Sequence, residues 1–194
     1  MSDTLFIDLL ISRLVHDLAS PLGAINNGLE LAEEEQNAAF REEALSLVKR
    51  SAKRANDLLG FLRMAYGAAG RSANFSGSDA IMLGRAWLND ARLQLETLED
   101  IPNNQARLLL HLILVAFETM PRGGKIIAKA GPLLIMEGQR GGMLSDLQSF
   151  IRKEEITLTA RNIILHHAQK EAQNLNKQLI FVEENNTIAR LGCM

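Results

Sequence analysis

Residues 13–30 read Arg-Leu-Val-His-Asp-Leu-Ala-Ser-Pro-Leu-Gly-Ala-Ile-Asn-Asn-Gly-Leu-Glu, and the spacing of the apolar side chains predicts a helix. Isoleucine and leucine recur at helical spacing from residue 7 to residue 29 and make one apolar stripe. At ~100° per residue, His16 falls nearly opposite Ile25, on the solvent side of the helix. Small side chains lie on the same side: Ala19, Ser20, Gly23 and Asn27. Such a face allows close approach to His16, whose neutral imidazole is a competent nucleophile.

A second helical pattern spans residues 39–66, after a polar stretch at residues 33–37. The first pattern spans residues 4–34 and is broken only at Pro21. We therefore predict a helical hairpin. Two helices cannot enclose both of their apolar stripes, whereas two hairpins can form a four-helix bundle with every stripe facing inward. A homodimer is the expected assembly.

A Gly- and Ser-rich stretch at residues 67–78 divides the chain. The predicted parts are a helical hairpin over residues 1–69, a linker over 70–78 and a second domain over 79–194. The second domain mixes both element types. Its pattern predicts helices at 80–89, 103–120 and 158–174, and strands at 92–97, within 123–137, at 178–183 and at 187–191. The fold class is therefore α+β.

Composition excludes several classes of function. The net charge of −2 gives no argument for binding nucleic acid or an anionic membrane surface. Cys193 is the single cysteine, so the chain has no internal disulfide and fits a reducing compartment. Charged residues interrupt the first fifteen residues, which therefore form neither a signal peptide nor a membrane-spanning helix. We expect a cytoplasmic protein.

The run His16-Asp17-Leu18-Ala19-Ser20-Pro21-Leu22 resembles the phospho-acceptor box of sensor histidine kinases. Its continuation through Glu30 is similar to the ChpT-type histidine phosphotransferases of alphaproteobacteria. This resemblance implies a dimeric phosphotransferase that forms a phosphohistidine intermediate at His16. It also implies a phosphorelay from the receiver domain of a CckA-like hybrid kinase to CtrA-like response regulators that govern the cell cycle.

The second domain resembles the ATP-binding α/β sandwich of histidine kinases, but the residues that bind ATP are replaced. Residues 108–121 align with the asparagine-containing box of those kinases, with Val115 at the metal-binding asparagine, His111 at the first asparagine and Glu118 at the lysine. Magnesium requires oxygen ligands, which valine lacks. The loop 138–142 contains no Asp-x-Gly-x-Gly run. We therefore expect no bound cofactor and no ATP-dependent kinase activity, with magnesium carried by the partner receiver domain.

The other histidines carry no predicted site. His111 is interpreted as a hydrogen-bonded helix histidine. His166 and His167 are neighbours on a helix and point about 100° apart, so they cannot readily ligate one metal. We predict no metal site.

His16 is the predicted phospho-acceptor, with Asp17 and Ser20 as supporting residues. Asp17 is not expected to face His16, because adjacent residues diverge on a helix. Seven further residues are candidates for docking a partner: Arg13, Ala19, Gly23, Asn27, Lys49, Lys53 and Arg54. The basic residues of the second helix are equally consistent with a solvated face. The alternative function is a non-catalytic dimeric adaptor that binds receiver domains without being phosphorylated.

Overall fold

The computed structural model describes residues 3–89 and 92–194 of the chain. The N-terminal part is a helical hairpin of α1 (Asp3–Glu34) and α2 (Ala38–Tyr66), as predicted. Asn37 caps α2, since its side-chain oxygen accepts a hydrogen bond from the Ala39 N–H at 2.9 Å. The predicted break at Pro21 is wrong because α1 continues through it. Pro21 lacks only one helical donor, and its ring is buried.

Within the described residues, the C-terminal part contains four helices and five strands. The helices are α3 (Gly77–Leu88), α4 (Ala106–Thr119), α5 (Leu144–Ile151) and α6 (Ile163–Gln173). The strands are β1 (Leu93–Thr97), β2 (Gly124–Lys129), β3 (Leu133–Glu137), β4 (Leu179–Glu183) and β5 (Ile188–Cys193). Short 3₁₀ turns at Ala68–Arg71 and Asn103–Gln105 precede α3 and α4.

The strands form one mixed sheet in the order β1-β2-β3-β5-β4, with β1 parallel to β2 and the other neighbours antiparallel. Alternate strand residues such as Ile126, Ala128, Leu134 and Met136 are fully buried, which defines the face that the helices cover. Helix α4 is buried along nearly its whole length between the sheet and its helical neighbours. The predicted α+β class is confirmed.

Three helices of the C-terminal part differ from what the sequence predicts. Helix α3 begins at Gly77 rather than at residue 80, because Ser76 and Asp79 form a capping box. Helix α6 begins at Ile163 rather than at residue 158. The Asn162 amide donates to the Thr157 carbonyl and its oxygen accepts from the Thr159 N–H, which holds this segment in a turn. Helix α5 was not predicted at all.

The hairpin and the C-terminal part share one hydrophobic core. Phe61 of α2 contacts Trp87 of α3 at a ring-centroid distance of 4.5 Å, and Trp87 contacts Phe117 of α4 at 4.8 Å. On the α1 side, the ring of Phe6 lies 4.5 Å from that of His167 on α6. The hairpin is therefore packed directly against the C-terminal part. Among the helices of residues 3–89 and 92–194, none is long and apolar enough to cross a membrane.

Candidate functional site

His16 presents its imidazole to solvent from the middle of α1. Its side chain is 86% exposed, in agreement with the side of the helix predicted from the sequence. Asp17 does face it, contrary to the sequence-based expectation: Asp17 Oδ1 lies 3.3 Å from His16 Nδ1. The carboxylate reaches the ring because Nδ1 is the imidazole nitrogen nearer the backbone. The second imidazole nitrogen, Nε2, is left for an incoming group.

Asp17 is held in place by Arg13, one helical turn earlier. Arg13 Nε donates to Asp17 Oδ2 at 2.6 Å, and Arg13 Nη2 donates to Glu118 Oε1 at 2.5 Å. The Arg13 side chain is only 8% exposed. Burial alone would lower the pKa of its guanidinium, but the carboxylates of Glu118 and Asp17 raise that pKa above its ordinary value. The structure thus places Arg13 in the interior, which differs from the docking surface expected for it.

Glu118 joins the hairpin to the C-terminal part at this point. Its second oxygen, Oε2, accepts a hydrogen bond from Arg161 Nε at 2.8 Å, and the Arg161 carbonyl accepts from Arg13 Nη1 at 3.3 Å. We call Arg13, Glu118 and Arg161 the Glu118 cluster. The sequence identified Glu118 only as the residue that replaces the lysine of the kinase box. Its contacts make it the link between α4 and the histidine helix.

A cleft of about 250 Å³ opens beside His16, between the hairpin and the C-terminal part. Its walls combine the histidine site with aromatic and charged side chains: Arg13, His16, Asp17, Ser20, Pro21, Arg54, Leu58, Trp87, Phe117 and Glu118. Ser20 is exposed at the rim, and within the described part of the chain its hydroxyl forms no hydrogen bond. The support expected from Ser20 stays a prediction.

The small residues around His16 leave its surroundings open. Ala19 and Asn27 are exposed, and Gly23 is half-buried. A Cβ atom built on Gly23 would meet no atom within 4 Å, whereas one on Gly28 would lie 2.7 Å from Val48 Cγ2. Gly28 is therefore required for the packing of α1 on α2. Gly23 has no such requirement within the chain, which fits the docking role predicted for it.

The basic residues of α2 divide into two groups. Arg54 lines the cleft beside His16, and it also lines a neighbouring cleft together with Arg92 and Arg161. Lys49 and Lys53 are exposed outside both clefts, and Lys53 Nζ lies 2.5 Å from Asp57 Oδ2. The sequence reasoning missed Arg92 and Arg161, because residues so far apart in the chain give no local signal of a shared surface.

Two positions that the sequence aligns with the kinase asparagines, Val115 and His111, lie in the buried part of α4. Val115 is fully buried within α4, so its side chain faces no solvent-filled space. His111 is also fully buried, beside the backbone of Ala65, and the expectation of a hydrogen-bonded histidine stays a prediction. Burial holds the pKa of His111 well below its usual value. The expectation that the chain binds no nucleotide stays a prediction.

His166 and His167 contact different rings, as their divergence on α6 predicts. The ring of His166 lies 4.9 Å from that of Phe150, whereas the ring of His167 stacks on that of His111 at 5.6 Å. No group of three or more side chains in residues 3–89 and 92–194 could hold a metal ion. The absence of a metal stays a prediction.

Comparison with known proteins identifies the family. A family model of the histidine phosphotransferase C-terminal domain matches residues 79–187. The chain belongs to this family. Protein phosphotransferase ChpT of Brucella abortus (strain 2308) is 38% identical over 126 residues, which are 62% of this chain and 58% of that protein. The match spans less than two thirds of the relative's length.

A solved structure of a bacterial phosphotransferase shares the fold. It superposes with a TM-score of 0.81 at 24% sequence identity, and the superposition covers 100% of this chain and 98% of that chain. The predicted arrangement of a helical hairpin followed by a mixed α/β part is confirmed. The resemblance to ChpT-type histidine phosphotransferases, carried by the sequence around His16, is confirmed as well.

Proposed function

We propose that this protein passes phosphoryl groups between receiver-domain aspartates through a phosphohistidine at His16. One observation carries the proposal: an imidazole that is 86% exposed has its Nδ1 atom beside a carboxylate, while Nε2 faces outward. A histidine that serves only as a surface residue has no need of a neighbouring carboxylate fixed by a buried arginine. Membership of the histidine phosphotransferase family supports the same activity.

The transfer step requires little from this chain. Asp17 Oδ1 accepts a hydrogen bond from the Nδ1–H of His16, so the lone pair of Nε2 is free to attack phosphorus in line. The N–P bond forms as the bond from phosphorus to the receiver's aspartyl oxygen breaks, and the aspartate leaves as a carboxylate. The phospho-imidazolium keeps its Nδ1 proton, and the charge of Asp17 stabilises it. Transfer to the next receiver is the reverse reaction.

Magnesium and the charge on the transferring group belong to the receiver domain in this proposal. Phosphoryl transfer depends mainly on positioning and electrostatic stabilisation, which a receiver's acidic pocket with its metal supplies. The relay we propose runs from a CckA-like hybrid kinase to CtrA-like response regulators in cell-cycle control, within the cytoplasm. Arg54, together with Arg92 and Arg161 in the adjoining cleft, offers positive charge to such an acidic surface.

A homodimer formed through the hairpin completes the proposed assembly. Large apolar side chains along α1 remain at least 40% exposed in the single chain: Ile7, Ile11, Val15, Leu22 and Leu29. Leu45 and Leu59 of α2 are similarly exposed. A stripe of this kind on a water-soluble helix is typical of a surface that is covered by another chain.

Light scattering tests the dimer. At micromolar concentration the protein should have twice the 21.4 kDa chain mass. Ile11→Glu should give the monomer mass, because burying an unpaired charge in the interface is costly. Ser12→Glu, one residue further and off the apolar stripe, should leave the dimer intact. A wild-type protein that stays monomeric would contradict the four-helix bundle.

The decisive experiment follows label from a phosphorylated receiver domain of a hybrid kinase. We expect the wild-type chain to acquire an acid-labile phosphoramidate, and His16→Ala to acquire none while keeping its helical content. His166→Ala is the matched control and should accept label normally, since that ring packs on Phe150 and does not line the cleft beside His16. Label on the His16→Ala variant, or binding of receivers with no transfer to the wild type, would favour the adaptor function instead.

A further inference from the structure

We propose that Glu118, acting through Arg13, positions Asp17 and thereby fixes which nitrogen of His16 carries the proton. Arg13 and Glu118 are positioning residues in this proposal, because neither one touches the reacting atoms. The consequence for phosphoryl transfer rests on the function proposed above. The effect on the imidazole itself does not, and it can be measured without any partner protein.

The two oxygens of Asp17 have different partners. Oδ1 faces His16 Nδ1 at 3.3 Å, while Oδ2 accepts from Arg13 Nε at 2.6 Å. The remaining nitrogens of Arg13 are also engaged: Nη2 with Glu118 at 2.5 Å and Nη1 with the Arg161 carbonyl at 3.3 Å. Each guanidinium nitrogen therefore has its own acceptor, and the planar group has one orientation that satisfies all three contacts.

Glu118 is the contact that keeps Arg13 from taking both oxygens of Asp17. An arginine and a carboxylate prefer two parallel hydrogen bonds, and this arrangement is open to Arg13 once Nη2 loses its partner. A bidentate pair would draw Oδ1 away from His16. The side chains of Arg13, Asp17 and Glu118 are 8%, 19% and 12% exposed, so water cannot readily replace a lost contact.

The position of Asp17 matters because a neutral imidazole carries one proton on either nitrogen. The nitrogen that holds it is determined by the hydrogen bond that the ring makes. With Oδ1 in place the proton stays on Nδ1 and Nε2 is the nucleophile. Without Oδ1 part of the population carries the proton on Nε2, and that part cannot attack phosphorus.

The chain contains a matched control at a second site. Glu171 on α6 also pairs with one buried and one exposed arginine: its Oε1 lies 3.1 Å from Nε of Arg107 and 3.2 Å from Nη2 of Arg71. We call these three residues the Glu171 cluster. Glu171 is 8% exposed, much like Glu118 at 12%. Within the described residues, none of the hydrogen bonds or ion pairs of the Glu171 cluster involves Asp17 or His16.

The test measures the His16 tautomer in the 194-residue chain, whose four histidines carry ¹⁵N. Long-range ¹H–¹⁵N spectra are recorded well above the ordinary histidine pKa of ~6.5, with the His16 signals assigned by their loss in His16→Ala. We expect the Nδ1–H form in the wild type, a mixture in Glu118→Gln, and the wild-type form in Glu171→Gln. Phosphoryl acceptance by Glu118→Gln should fall roughly tenfold, in line with losses of orientation, and acceptance by Glu171→Gln should not.

Each outcome decides the proposal. An unchanged tautomer in Glu118→Gln would overturn it whatever the transfer rate, as would an equal shift in Glu171→Gln, which would indicate general loosening. If Glu118→Gln does not fold, Glu118→Asp replaces it in the test, because it keeps the charge but shortens the side chain by one methylene. An unchanged tautomer in Glu118→Asp would also overturn the proposal. A wild type that accepts no label contradicts the proposed function alone, since the tautomer shift is read without a receiver.

Discussion

The Glu118 cluster and the Glu171 cluster both join the hairpin region to the C-terminal part, with nearly the same chemistry. In each, a glutamate pairs with a buried and an exposed arginine. They differ in what the buried arginine contacts next. Arg13 reaches Asp17 and so the histidine site, while Arg107 donates to the Gly67 carbonyl at the end of α2. The same type of ion pair therefore holds the carboxylate beside His16 at one site and a chain connection at the other.

The largest expected effect comes from removing the two buried arginines. Arg13→Met and Arg107→Met should each lower the free energy of unfolding, by at most about 3–5 kcal/mol, because each removes the buried partner of a carboxylate whose remaining arginine is more than half exposed. Urea denaturation measures this. Only Arg13→Met should also slow phosphoryl acceptance when both variants are assayed in the folded state. An equal loss of acceptance in Arg107→Met would remove the functional difference between the clusters.

Acid should destabilise the contact between the hairpin and the C-terminal part on the side of the Glu171 cluster. Burial, followed by the charge of Arg107, lowers the pKa of His167 to about 4, and burial holds the pKa of the neighbouring His111 well below its usual value. The unfolded chain therefore binds more protons than the folded chain once the pH falls below ~6.5, and stability declines from there towards pH 4. Urea midpoints measured across this range should show the decline, and His167→Phe should flatten it. A urea midpoint that does not change with pH would contradict the lowered pKa values of His167 and His111.

The smallest effect is expected at the exposed arginines. Arg161→Gln and Arg71→Gln should each change the free energy of unfolding by less than about 1 kcal/mol, because their side chains are 51% and 57% exposed. The two variants should nevertheless differ in phosphoryl acceptance, and this difference separates the roles of the two clusters. Arg161→Gln should reduce phosphoryl acceptance slightly through Glu118, whereas Arg71→Gln should leave it at the wild-type rate. A reduction in the second variant but not in the first would reverse the proposed roles.

The sequence predicted the hairpin, most strands and the exposure of His16, because helical and strand periodicities are local. It could not predict that Arg13 is buried, since the partner that makes burial favourable is Glu118, 105 residues away. Helix α5 was missed because it has only eight residues and follows a glycine-rich loop. The late start of α6 depends on which acceptors the Asn162 side chain finds, and periodicity does not report this.

The connectivity of the Glu118 cluster has a consequence for synthesis of the chain. Arg13 contacts the carbonyl of Arg161, 148 residues later, so the support of Asp17 is complete only after most of the chain has been made. At 5–20 residues per second, His16 precedes that partner by an interval on the order of ten seconds. A nascent chain thus displays His16 before Asp17 has its complete set of contacts. This one contact across 148 residues makes the surroundings of His16 depend on residues that are synthesised much later.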